Sequence, residues 1–142
     1  MSGADPPERE PLRVSILAQG AYLIASIHTA LDDEHFERFQ HDLIDQIGQR
    51  RARGVVIDVA ALDVLDSFGS KTLSDLGRVA RLRGAEIVVV GIQPEVAFAM
   101  VKFGINLDPM YTALDLEEGL GVLDMLGRSG ARAPAAPASR AR

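Results

Sequence analysis

The residues with the most chemical potential stand together at Asp66-Ser67-Phe68-Gly69-Ser70, written DSFGS, between the apolar run VVIDVAALDVL and the helical pattern KTLSDLGRVARLRG. A serine hydroxyl attacks as a nucleophile when a base takes its proton, and accepts a phosphoryl group when an outside donor supplies one. The first role lacks its partners. Asp66 and Phe68 flank Ser67 where a nucleophile elbow carries glycines, and no histidine is placed by sequence as its base. The second role asks only for access and a suitable field. The first amides of a helix have no internal partner and carry the positive end of the macrodipole, so an anion at Ser67 is favoured there. A phosphate adds about −1.5 to −2 charges, enough to disrupt a flat partner interface, and Asp66 would repel it. Gly69 costs up to about 1 kcal/mol against alanine inside a helix. Its lack of a side chain leaves the approach to the hydroxyl open. The plainer reading of the same stretch stays beside this one, because Asp and Ser are preferred helix caps.

Other chemistry finds little support. His28 stands at a strand end and reads as structural. His35 and His41 are six apart, which puts them about 120° from each other around a helix, so they do not readily share a metal. Asp32, Asp33 and His35 make a capped helix start more readily than a metal site. No Walker or GxGxxG pattern surrounds Gly69, Gly84 or Gly91. The chain has no cysteine, so disulfides, thiolate metal sites and a catalytic thiol are excluded together. We therefore expect no metal, no cofactor and no catalytic residue. A phosphate- or nucleotide-binding enzyme using the Ser67 helix remains the alternative of a different class.

Composition bounds the rest. The 142 residues, 47% hydrophobic, suit one domain with a real core. No run approaches a membrane span, and MSGADPPEREP has neither the basic flank nor the apolar core of a signal sequence, so a cytoplasmic protein is expected. The last sixteen residues hold four arginines and no acid; without them 11 basic residues face 20 acidic ones, net −9. An acidic body argues against nucleic acid as the main partner.

The elements that must position Ser67 are read from periodicity. Residues 1–11, with three prolines, read as a disordered lead, and residues 127–142 as an Ala/Pro/Arg-rich tail. Between them, VSILAQ and AYLIASIH predict a hairpin. Phe36, Phe39, Leu43, Ile44 and Ile47 predict a helix capped near Asp32-Asp33 and ended near Arg53-Gly54. Val55-Val56-Ile57 and Ile87-Val88-Val89-Val90 read as strands covered on both faces. Leu73, Leu76 and Ala80 form the inward stripe of the helix that opens at DSFGS, closed at Arg83-Gly84. Val96, Ala99, Met100 and Phe103 are expected inward on a third helix starting at Pro94. A weak strand near Met110-Tyr111-Thr112 and a helix with Leu116, Leu120 and Leu123 complete an α/β domain, a central mixed sheet with about four helices.

With that order established, GVVIDVAALDVLDSFGSKTLSDL, RGAEIVVVGIQPEVAFAMVKFGINL and YTALDLEEGL together resemble the STAS domain family of anti-sigma factor antagonists, over about residues 12–126. Within it the DSF and GIQP segments look most like the RsbS type of stressosome scaffold. The resemblance implies a non-catalytic cytoplasmic scaffold that assembles with itself and with RsbR-like STAS proteins into a large complex. It implies sequestration of an RsbT-like serine/threonine switch kinase, release on serine phosphorylation, and resetting by a phosphatase. The family acceptor follows the aspartate at the helix start, here Ser67, with Ser70 a less favoured second acceptor and Asp66, Phe68 and Gly69 the switch environment. A simple antagonist that binds an anti-sigma kinase directly is the nearer alternative.

Overall fold

The computed structural model describes residues 12–132, with side chains through residue 128; the lead expected over residues 1–11 and most of the expected tail lie outside the described residues. Five strands, β1 (Val14–Gln19), β2 (Tyr22–Ile27), β3 (Gly54–Asp58), β4 (Glu86–Val90) and β5 (Tyr111–Ala113), form one sheet in the order β1-β2-β3-β4-β5. The hairpin β1-β2 is antiparallel, pairing Gln19 with Tyr22 across Gly20-Ala21, and every later pair is parallel. Parallel neighbours need crossovers, which are supplied by helices α1 (Asp33–Arg50), α2 (Ser67–Leu82) and α3 (Pro94–Lys102). Helix α4 (Leu116–Arg132) follows β5.

The two faces of the sheet take different covers. Val55, Ile57, Ile87 and Val89 point to the side where α1, α2 and α3 place Phe39, Leu43, Leu73, Leu76 and Met100. The alternate residues Val56, Val88 and Val90 face Leu123 of α4. Strands buried on both faces need apolar residues at consecutive positions, which is why these two runs are unbroken. Removing a side chain such as Leu76, fully buried at the centre, is expected to cost about 2–5 kcal/mol.

Several expectations are corrected in detail. Helix α1 ends at Arg50, and Arg51 takes the left-handed conformation (φ 53°) that the sequence suggested for Gly54. Gly54 instead opens β3, where a Cβ would stand 2.7 Å from a methyl of Leu123. Gly119 does the same from the helix side, since its Cβ would meet Val90 at 2.8 Å. Two glycines, one on each surface, thus let α4 settle close to the sheet. Gly84 closes α2 with φ +90°, as expected. The boundary placed after residue 126 falls inside α4, which continues to Arg132. The Tyr22 hydroxyl donates to Asp124 at 2.6 Å and Leu123 is buried, so the helix is anchored just before Gly127 and runs through it.

On α3 only Val96 and Met100 are buried; Ala99 is exposed and Phe103 is 69% exposed, contrary to the expected inward stripe. Leu116 and Leu120 of α4 likewise cover less than expected, the first exposed and the second partly buried, while Leu123 is buried.

Candidate functional site

Strand β3 ends at Asp58, and the chain reaches α2 through residues 59–66. That connection is pinned by Leu62 and Leu65, both buried, and by the Asp58 carboxylate accepting from the Ala60 N–H at 2.9 Å. The neighbouring connection, from β4 to α3, is tied to it by Gln93, whose Nε2 donates to the Ala60 carbonyl at 2.8 Å. Two loops at the carboxyl ends of adjacent parallel strands are thereby held together, the location where open α/β sheets place ligands.

Ser67 is the first residue of α2 and is exposed. Asp66 is the cap: its backbone is extended and its Oδ1 accepts from the Gly69 N–H at 2.8 Å. The Ser70 N–H bonds the Asp66 carbonyl at 2.9 Å, beginning the helical ladder. One of the amides that a bound anion would use is therefore already taken by the carboxylate. The cap and the exposed serine are consecutive residues: Asp66 satisfies the helix, and Ser67 beside it remains exposed.

The other three residues of the segment face inward. Phe68 is partly buried against the main core. Gly69 is buried, and a Cβ there would stand 2.8 Å from Phe36 Cε2 and 3.2 Å from Asp66 Oδ1. Its missing side chain makes room for α1, a correction to the expectation that it keeps the hydroxyl approachable. Ser70 is 3% exposed, and its Oγ has no hydrogen-bond partner. Chemistry at the Ser70 hydroxyl would first require its surroundings to open.

Ser67 lines a cleft of about 560 Å³ between the β3–α2 loop and α3. Asp63, Asp66 and Glu95 supply three carboxylates, and Val64, Ala99 and Phe103 an apolar surface. Reasoning along the sequence did not reach Asp63 or Glu95, and it placed Phe103 in the core. The signal was present, since GIQPE follows β4 as DSFGS follows β3, and loops after adjacent parallel strands meet.

The remaining candidates disperse. His28 Nε2 pairs with Ser15 Oγ at 2.9 Å across the hairpin. His35 pairs with Asp32, 2.6 Å from Nδ1 to Oδ1, and Asp32 also accepts from the His35 N–H at 2.8 Å. The backbone bond first, and the imidazole second, hold the Asp32 carboxyl below its ordinary range. Among the described residues no group of three or more His, Asp or Glu is placed to hold a metal ion, and no helix is long and apolar enough to cross a membrane.

Comparison with known proteins agrees with this geometry. The STAS domain model matches residues 13–118. A solved structure of Moorella thermoacetica RsbS, in a variant with glutamate in place of a serine, is 37% identical over 82% of this chain and 99% of its own, with a TM-score of 0.70. A chain from a structure described as the molecular architecture of the stressosome, a signal integration and transduction hub, is 34% identical over 80% of this chain and 99% of its own, at 0.64. The RsbT co-antagonist protein RsbRA of Bacillus subtilis is 29% identical over 90 residues, 63% of this chain and 33% of that protein, so the chain spans about a third of its length. The fold, the order of its motifs and these matches lead to one conclusion: the chain belongs to the STAS domain family.

Proposed function

We infer that this chain is a non-catalytic scaffold of a stressosome-type assembly in the cytoplasm, whose hold on a serine/threonine switch kinase is released by phosphorylation of Ser67. The observation that carries the reading is the placement of Ser67: an exposed hydroxyl one residue after a capping aspartate, on a cleft between the β3–α2 loop and α3. Likeness to RsbS and to a stressosome chain, each above 30% identity and spanning nearly all of that chain, supports the scaffold role and partnership with RsbR-like STAS proteins. A direct anti-sigma antagonist shares the fold and differs in its partner.

The electrostatics favour release. The cleft already contains Asp63, Asp66 and Glu95. A phosphate at Ser67 adds about −1.5 to −2 charges to the same small volume, and the Gly69 amide is already engaged by Asp66. The new charge therefore remains largely uncompensated within the chain, and any anionic or apolar surface of a bound kinase meets it directly. A resetting phosphatase needs the same exposure that the kinase uses.

Intact mass and fragment mapping after incubation with ATP and a switch kinase from the same cell tests this. One phosphoryl group at Ser67, followed by loss of kinase binding, is the expected result. No modification by a kinase proven active on another substrate returns the segment to a helix cap alone. Saturable calorimetric binding of a nucleotide, lost in Ser67 or Asp66 variants, would replace the scaffold with a ligand-binding enzyme. Binding of an anti-sigma kinase without any co-assembly with RsbR-like domains would favour the direct antagonist.

A further inference from the structure

Helix α3 forms one wall of the Ser67 cleft, yet the core holds it lightly. Only Val96 and Met100 of its nine residues are buried, so little packing fixes how it stands against the rest of the chain. Its start is fixed by a side chain instead. Gln93 occupies the cap position of α3 but makes no side-chain bond to that helix's own amides. Cap residues ordinarily turn their side chains to those amides, and asparagine, aspartate and serine do so better than most. Gln93 reaches the other way: its Nε2 donates to the Ala60 carbonyl at 2.8 Å, in the loop that delivers Ser67.

The backbone is shaped to bring that carbonyl within reach. Gly91, two residues before Gln93, has φ +81°, and a Cβ there would lie 3.0 Å from the Ala60 Cβ and 3.1 Å from Asp58 Oδ1. On the other side the loop is itself anchored. The Val59 N–H bonds the Val90 carbonyl, the Ala60 N–H bonds Asp58 and the Leu62 N–H bonds the Val59 carbonyl. Beyond these anchored residues, Val64 of the loop and Phe103 beside α3 line the cleft, 71% and 69% exposed. The width between those walls depends on how the start of α3 is set against residues 59–62, and Gln93 joins the two.

We propose that Gln93 is a positioning residue: by latching the start of α3 to the β3–α2 loop it sets the width of the Ser67 cleft, and so governs entry to the serine although it is not part of the lining. The kinetic consequence rests on the phosphorylation reading, and the latch itself does not. Gln93→Asn separates position from stability, because asparagine is one methylene too short to reach Ala60 and is a better cap for α3. Amide hydrogen exchange of the full chain is expected to quicken about three- to tenfold at Ala60 and Leu62, the range set by loss of one hydrogen bond, while thermal stability holds or rises. With the switch kinase, KM for Ser67 is expected to rise by a similar factor at unchanged kcat, since Asp66 still caps α2 and only the opposite wall has moved. Gln93→Met, which keeps the length and lacks the donor, is expected to shift exchange and KM in the same way. Exchange at wild-type rates in both variants would overturn the proposal, and so would quickened exchange with KM unaltered. A kcat that falls in step with stability would overturn it too, leaving Gln93 a support of the fold. A wild-type chain that the active kinase never modifies removes the phosphorylation reading, and the exchange rates then decide the latch alone.

Discussion

Gly69 and Phe36 share one space: a side chain at residue 69 would occupy the volume of the Phe36 ring, 2.8 Å from Cε2. The segment that presents Ser67 is thus keyed into α1 by an absence. Gly69→Ala gains helix propensity, up to about 1 kcal/mol, and loses about 1–3 kcal/mol to overpacking. A net destabilisation on the order of 1 kcal/mol in urea unfolding is expected, with recovery when Phe36→Leu is added. An alanine variant as stable as wild type would mean that the ring yields freely.

Asp66 performs two separable tasks. Asp66→Ala removes the acceptor of the Gly69 N–H and is expected to cost about 1 kcal/mol. Asp66→Asn keeps a capping oxygen and removes the charge. Its stability should stay near wild type while the rate of Ser67 phosphorylation changes, and identical kinetics would leave Asp66 a cap and nothing more.

The two serines should respond in opposite ways. Ser67→Ala is expected to leave stability unchanged within about 0.5 kcal/mol, as for an exposed position, and to abolish modification. Ser70→Ala removes a buried hydroxyl that has no partner, so neutral or slightly stabilising behaviour is expected, with modification intact. Thermal unfolding with mass analysis of both variants checks this, and a clear loss of stability in Ser70→Ala would require a partner for that hydroxyl.

Arg51 carries the left-handed backbone at the end of α1. Arg51→Gly is expected to stabilise by up to about 1 kcal/mol, the residual strain less the extra entropy of an unfolded glycine. The converse change, Gly54→Ala, should destabilise, because the added methyl runs into Leu123. Denaturant midpoints of the pair test both signs.

Titration gives a further test. Asp32 is held below its ordinary value of 3.8 by the His35 backbone bond, and Asp75 by the hydrogen bond from Lys71. Carboxyls with lowered values contribute stability that is full above about 4 and is lost as the pH falls further. Tyr22 is raised from 10.0, by burial first and then by its bond to Asp124. Its contribution is full below about 10 and lost above it. Asp32→Asn should flatten the acid limb, and Tyr22→Phe the alkaline limb, in stability measured against pH.

Much of the fold could be read from residue types. The β-branched runs at residues 55–57 and 87–90 mark strands because both faces are covered, and the Phe36-to-Ile47 stripe marks one helix face because it repeats over about three turns. Periodicity failed on α3 for a physical reason: nine residues, apolar except at Glu95 and Lys102 near the two ends, do not reveal which face the sheet takes. Gly54 misled because glycine serves close approach as readily as a left-handed turn, and only the position of Leu123 distinguishes the two. At the site, Asp66-Ser67 announced a helix start from local chemistry alone. Glu95 and Phe103 belong to the same cleft through strand adjacency, which no local pattern carries.

The course of α4 has a practical consequence. It leaves β5 beside Gly91, whose N–H bonds the Leu114 carbonyl at the carboxyl end of the sheet, and reaches Tyr22 and Arg53 at the amino end. Ser67 stands at the carboxyl end. A fluorophore or surface tether joined after Arg132 therefore starts from the pole opposite the serine, so the proposed kinase capture and release can be tested on an immobilised chain with the serine turned toward the solution.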